Sequence, residues 1–197
     1  MKVIQAVGHG LTNLFNFNGR TRQAEFWPYV VFVTLLSIAG FGAATLPEMF
    51  ASMERLQRFV EDNPDLATIE RGPGSYSMTI HEFHPELMPD FGQMMWLTGV
   101  GFVAIIFFLA SAVVRRLHDR GKSGAWGLMP IPFIVFALVA MPKLFDQVSQ
   151  VGTPDLRLFF AIFFNNILYI ATLVFLIVLL CGDSTKGENR FGLEPIE

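Results

Sequence analysis

The chain has 197 residues, 52% of them apolar and 21 of them Phe, with a formal net charge of −3. Positive mean hydropathy and long runs that are apolar on all sides argue against a soluble domain, whose helices carry a polar face. A single cysteine, Cys181, rules out an internal disulfide, and the charges segregate in a way that speaks of membrane orientation rather than nucleic acid.

In chain order, Val3, Ile4, Val7, Leu11, Leu14 and Phe15 recur at helical spacing. They predict a short helix, either lying in the membrane interface or packed on a bundle. His9, Asn13, Asn16, Asn18, Arg20 and Arg22 interrupt residues 1–26, so no cleavable signal peptide is visible and the first span is expected to insert as an uncleaved anchor.

Four apolar runs follow: Trp27–Leu46, Met95–Val114, Leu128–Met141 and Leu158–Cys181. A hydrocarbon core roughly 30 Å thick needs about 20 helical residues. The first, second and fourth runs meet that length without Asp, Glu, Lys, Arg or His. The third, counted from Trp126 to Met141, reaches only ~24 Å, with Pro130 and Pro132 near one end and Pro142 at the other. It spans with local thinning and Trp126 at the interface, or else forms a re-entrant segment. The fold class expected is all-α: a four-transmembrane-helix bundle forming one domain over 1–197, with spans near 27–46, 95–114, 126–141 and 158–181.

After the first run, Met49, Phe50, Met53, Leu56, Phe59 and Val60 repeat a helical pattern opposite Glu54, Arg55, Arg58 and Glu61. This predicts a second amphipathic helix that Asn63-Pro64 should end. Tyr76, Met78 and Ile80 alternate weakly within 75–83, enough for a short hairpin strand. In the fourth run Asn165 and Asn166 should bond a neighbouring helix, each amide contributing on the order of 1 kcal/mol.

Counting Lys and Arg on alternate sides sets the orientation. Nine fall with the termini and the second-to-third link, against five in the other loops. The positive-inside rule therefore places both termini in the cytoplasm and the acidic 47–94 loop outside.

Three segments abut spans on the cytoplasmic side: 17–27 (FNGRTRQAEFW), 115–124 (RRLHDRGKSG) and 182–192 (GDSTKGENRFG), the last completed by Leu193-Glu194-Pro195. Together they resemble the bacterial inner-membrane family known as domain of unknown function 805. Its members look like F-x-G-R-x-x-R-x-E-F-W, R-R-L-H-D-x-x-x-S-G and G-x-N-R-F-G-x-x-P at these places. The resemblance implies a bacterial inner-membrane protein and brings no activity with it, and the 47–94 loop looks like an insertion.

The candidate lipid- or partner-binding residues are Arg20, Arg22, Glu25, Arg115, Arg116, His118, Asp119, Arg120, Lys122, Ser123, Asn189 and Arg190. Gly121-Lys122-Ser123 matches the end of a phosphate-binding loop, but Arg116 stands where its first glycine belongs and no strand precedes it. Anionic lipid headgroups are the better ligand, each basic residue near the surface contributing ~1 kcal/mol; otherwise these arginines only fix topology. His118 and Asp119 read as a hydrogen-bonded structural pair, with a proton-handling pair as the sharper alternative.

Opposite helix directions bring Glu25 to the depth of Arg115 and Arg116, and each charge suits its own helix dipole. Glu25 is therefore expected to pair with one of these arginines, Asp119 sharing them. His81-Glu82-Phe83-His84, with Glu86 and Asp90 following, lacks the zincin spacing, so no metal site and no cofactor are expected, adventitious divalent-metal binding there being the alternative. The chain reads as a non-catalytic structural or interaction module with lipid, a protein partner or a second copy as partners. The alternative is a small transporter or channel component using Asn165, Asn166 and the proline-broken third span, although intramembrane ionisable residues, which usually mark transport, are missing. An enzyme would need a headgroup held by Arg20, Arg116 and Arg120, with His118 as base.

Overall fold

The computed structural model describes residues 3–82, 84–149 and 155–195, and its regular elements are helices except for one hairpin and an isolated bridge between Asn189 and Gly192. Helix α1 covers Val3–Thr12, and α2 runs unbroken from Gln23 to Asp62. At ~1.5 Å per residue α2 is ~60 Å long, twice the hydrocarbon thickness. The amphipathic segment expected after the first span is thus the continuation of the same helix, not a separate one. Pro47 lies inside it; it removes one backbone donor without ending the helix. Asn63 does end it, as the following proline requires.

A two-stranded antiparallel hairpin follows, β1 (Ala67–Gly72) paired with β2 (Ser75–Ile80). The turn is Pro73-Gly74, with Gly74 at φ +82°, the residue pattern of a type II turn. The strand expected over 75–83 ends at Ile80, Phe83 lies outside the described residues, and β1 had no counterpart in the sequence reading.

Helix α3 (Phe91–Asp119) starts under an Asp90 cap whose carboxylate accepts from the Gln93 N–H at 2.9 Å. Helix α4 covers Ile131–Ser149 and α5 Leu156–Cys181, the latter capped by Asp155 accepting from Arg157 N–H at 2.8 Å. The third span is therefore longer than the apolar run suggested. Pro130 and Pro132 sit at its first turn, where the missing N–H has no helical partner anyway, and the helix continues past Pro142. Neither a break nor an end occurs at these prolines. All four long helices are apolar enough to cross a bilayer. Most of their large side chains are exposed, as lipid allows.

The tight core is confined to one end of the bundle, where Phe26, Tyr29, Val33, Ala112, Leu117, Leu176 and Leu180 pack together from α2, α3 and α5. Asn165 donates to the Phe133 carbonyl of α4 at 3.0 Å, the inter-helix bond expected; Asn166 instead bonds its own helix at Ile162.

Helix α1 docks on α2 where Gly10 meets the ring of buried Tyr29, whose hydroxyl donates to the Phe108 carbonyl at 2.8 Å. A methyl at Gly10 would lie 2.3 Å from that ring, whereas one at Gly8 meets nothing within 4 Å. Gly10→Ala is expected to cost about 1–3 kcal/mol by overpacking. Gly8→Ala is expected to be neutral or stabilising by up to about 1 kcal/mol. Thermal unfolding of the two variants in detergent checks the contrast, and equal midpoints would mean that α1 is not docked on Tyr29.

Candidate functional site

The three sequence segments meet at the packed end of the bundle, around the last turn of α3. That helix ends in a Schellman motif: the Lys122 N–H bonds the Leu117 carbonyl and the Gly121 N–H bonds that of His118, both at 2.9 Å, with Gly121 at φ +66°. The turn leaves Asp119 fully buried between two arginines. Arg20 donates through Nε to Oδ1 at 3.0 Å, and Arg116 through Nη1 to Oδ2 at 2.5 Å; these three side chains are 1% exposed or less. Ser184 also donates to Oδ2. The Asp119 carbonyl accepts from the Thr185 N–H at 2.9 Å and its hydroxyl at 2.8 Å.

Side chains from other helices cap the C-terminus of α5. A helix leaves its last four carbonyls without internal partners. Here Arg120 reaches Leu179 at 2.6 Å and Val178 at 3.4 Å, Arg116 reaches Leu180 at 3.0 Å, and Gln23 reaches Cys181 at 3.2 Å. Arg116 extends one residue further, to the Gly182 carbonyl at 2.6 Å. Helices α3 and α5 end side by side, so their negative dipole ends would repel; the guanidinium charges of Arg116 and Arg120 lie between them and reverse that interaction.

Arg115 faces the other way. Its guanidinium donates to Thr21 Oγ1 at 2.9 Å, to the Asn13 carbonyl at 2.8 Å and to the Asn16 carbonyl. Its own carbonyl accepts the Thr21 N–H at 3.2 Å. The expected ion pair of Glu25 with Arg115 or Arg116 does not form. Successive helical residues point about 100° apart, which sends Arg115 to the N-terminal segment and Arg116 to α5. Glu25 lies 3.9 Å from His9 of α1 instead. Of that expectation only the Arg116–Asp119 contact stands.

The pairing of His118 with Asp119 also fails, because the arginines and Ser184 take both carboxylate oxygens. The His118 ring lies flat on Phe191, 3.8 Å between centroids and 7° from parallel. Arg190 sits over the same Phe191 ring at 4.6 Å. Asn189 ties the tail to α3 by donating to the His118 carbonyl at 3.0 Å and to Thr185 Oγ1 at 2.7 Å. Arg20 closes the assembly from the first segment, donating to the Gly187 carbonyl at 2.6 Å and to that of Thr185. Ser123 caps the short helical turn Gly124–Leu128, accepting the Ala125 N–H at 3.3 Å. Lys122 is exposed and Arg22 half-exposed, and neither joins the network.

The sequence reading did not single out Thr21, Ser184, Thr185 and the carbonyls of Asn13, Asn16 and Leu180. The hydroxyl residues were visible within the segments as Arg20-Thr21-Arg22 and Asp183-Ser184-Thr185. Backbone acceptors leave no signature in side-chain pattern. Chemically, the cap holds charge in place and spends most of its guanidinium donors on protein acceptors, with Arg115 Nη2 buried and without a hydrogen-bond partner. Among the described residues no group of three His, Cys, Asp or Glu gathers to hold a metal.

Four membrane-spanning helices fastened at one end by a buried Arg–Asp–Arg cluster define a multi-pass integral membrane protein. The model of the family described as protein of unknown function, DUF805, matches residues 14–193, and the chain belongs to that family. No curated protein and no solved structure matches the chain.

Proposed function

We propose that the protein is a non-catalytic module of the bacterial inner membrane, with both termini cytoplasmic, whose basic face holds an anionic lipid. The observation that carries this reading is the division of labour among its cations. Arg20, Arg115 and Arg116 are buried and Arg120 is spent on α5, while Lys122 stays exposed two residues before Gly124, which lines an apolar groove. That groove encloses about 310 Å³ between α3, α4 and α5, and Gly124, Gly127 and Leu128 form part of its wall. An acyl chain suits the groove, and a headgroup phosphate suits the lysine two residues along the chain from its wall. Lys186 on the neighbouring tail is also exposed.

Substituting both Lys122 and Lys186 by Gln is expected to weaken retention of anionic phospholipid by about 2 kcal/mol, or roughly 30-fold. Folding should be unaffected, because neither side chain joins the cap. Native mass spectrometry of the purified protein with defined phosphatidylglycerol and phosphatidylcholine mixtures reads the effect. Unchanged selectivity for the anionic lipid would leave these lysines with a purely topological role. Arg120 is unsuitable for this test, since removing it also uncaps α5.

A transporter or channel component is the second reading. Asn165, Asn166 and Tyr169 line a cavity of about 190 Å³ that shares Phe102, Ile134 and Tyr169 with the lipid groove. Solute flux into liposomes that disappears in Asn165→Leu would favour it over lipid capture.

A further inference from the structure

At the end of the bundle opposite the cap, a cavity of about 540 Å³ lies between the outward extension of α2 and the segment after the hairpin. Three thioethers line it, Met49, Met53 and Met88, together with the imidazoles of His81 and His84. Met49 and Met53 are four residues apart and so share one face of α2. Met53 lies ~39 Å along the helix from Trp27, past the thickness of the hydrocarbon. The three methionines are 47%, 54% and 44% exposed. Lipid does not account for such a cluster of soft side chains beyond the core of the bilayer.

His84 is arranged as metal-binding histidines are. Its Nδ1 lies 2.9 Å from Glu86 Oε1, and its ring packs against Phe59 with centroids 4.5 Å apart. A carboxylate on Nδ1 fixes the proton there and leaves a lone pair on Nε2. That Nε2 is buried and has no hydrogen-bond partner, a costly state for an acceptor, and a rotation of the ring brings it to the cavity that His84 lines. His81, by contrast, has its Nε2 3.0 Å from Thr68 Oγ1.

Ligand softness selects the ion. Thioethers prefer Cu(I) and its relatives, while hard or borderline divalent ions want oxygen, several imidazoles or thiolate. The described residues offer no set of three such ligands. Glu82 at the cavity wall and Glu86 behind His84 supply negative charge toward a monovalent ion. We infer that this cavity binds a soft monovalent cation, Cu(I) or Ag(I), through the thioethers of Met49, Met53 and Met88 and Nε2 of His84. The site is independent of the lipid reading and opens at the other end of the bundle.

The test uses the full-length protein in detergent with Cys181→Ser, because that exposed thiol would itself take a soft ion. Titration with Ag(I), which stands in for Cu(I) without redox chemistry, should show one tight equivalent by calorimetry. The methyl resonances of Met49, Met53 and Met88 should shift with it. Met49→Leu combined with Met53→Leu should weaken binding by about 100-fold or more, with the unfolding midpoint held because the swap conserves volume. Glu86→Gln should weaken it by about 10–100-fold through the orientation of His84. The absence of a tight Ag(I) equivalent, or one that survives the double methionine substitution, overturns the inference. So does Zn(II) binding that is tighter than Ag(I) binding and indifferent to the methionines.

Discussion

Asp119→Asn is expected to destabilise the protein by about 3–5 kcal/mol, the largest single effect at the cap. The carboxylate is the common counter-charge of Arg20 and Arg116 and lies beyond reach of solvent. Removing one partner of a buried ion cluster leaves the others charged, desolvated and unpaired. An amide of the same shape keeps an acceptor for one guanidinium but offers an N–H where the other arginine and Ser184 now donate. Thermal unfolding in detergent measures the loss, and proteolysis within residues 183–195 should accelerate, because Ser184 holds the tail to this carboxylate. A loss under about 1 kcal/mol would be that of an exposed pair, which would mean that water reaches the cluster.

Arg116→Lys should cost about 2–4 kcal/mol although it keeps the charge. The arginine fork reaches Asp119 Oδ2, Ser184 Oγ and the carbonyls of Leu180 and Gly182 in four directions. An ammonium on a single stem cannot reproduce that planar geometry, and each hydrogen bond to a charged group contributes about 1.5–3 kcal/mol. Lys122→Arg serves as the control and should fall within about 0.5 kcal/mol of the parent, as exposed substitutions do. Comparable unfolding midpoints for the two variants would show that Arg116 acts only as a point charge. Amide hydrogen exchange in the last turn of α5 should rise in Arg116→Lys and stay unchanged in Lys122→Arg.

Much of the architecture was legible along the chain. Run length identified three of the spans and left the third run marginal, and Asn63-Pro64 ended α2 where the backbone restriction before proline demands it. The three segments were rightly read as converging on one membrane face, since each abuts a span end on the same side. The misreadings share a cause. Pro130, Pro132 and Pro142 suggest a broken third span, yet α4 starts at the first two and runs through Pro142 with one donor missing. β1 went unseen because Ala67, Thr68 and Ile69 make a strand only when β2 lies beside them. For Glu25, depth in the membrane was the right argument for nearness but said nothing of direction.

Hydrophobic length, charge bias, caps and turn glycines are properties of a few consecutive residues, which is why the amino-acid order alone reveals the spans, the family and the end of the bundle that carries the motifs. Partner choice within the cap depends on how α3 is rotated against α2 and α5. A turn of about 100° separates Arg115 from Arg116, and with it the anchoring of the N-terminal segment from the capping of α5. Backbone carbonyls receive most of these bonds, and they are the same in every residue. Only the packed helices decide which carbonyl each guanidinium meets, and only the fold of the outer segment against α2 brings three methionines and His84 around one cavity.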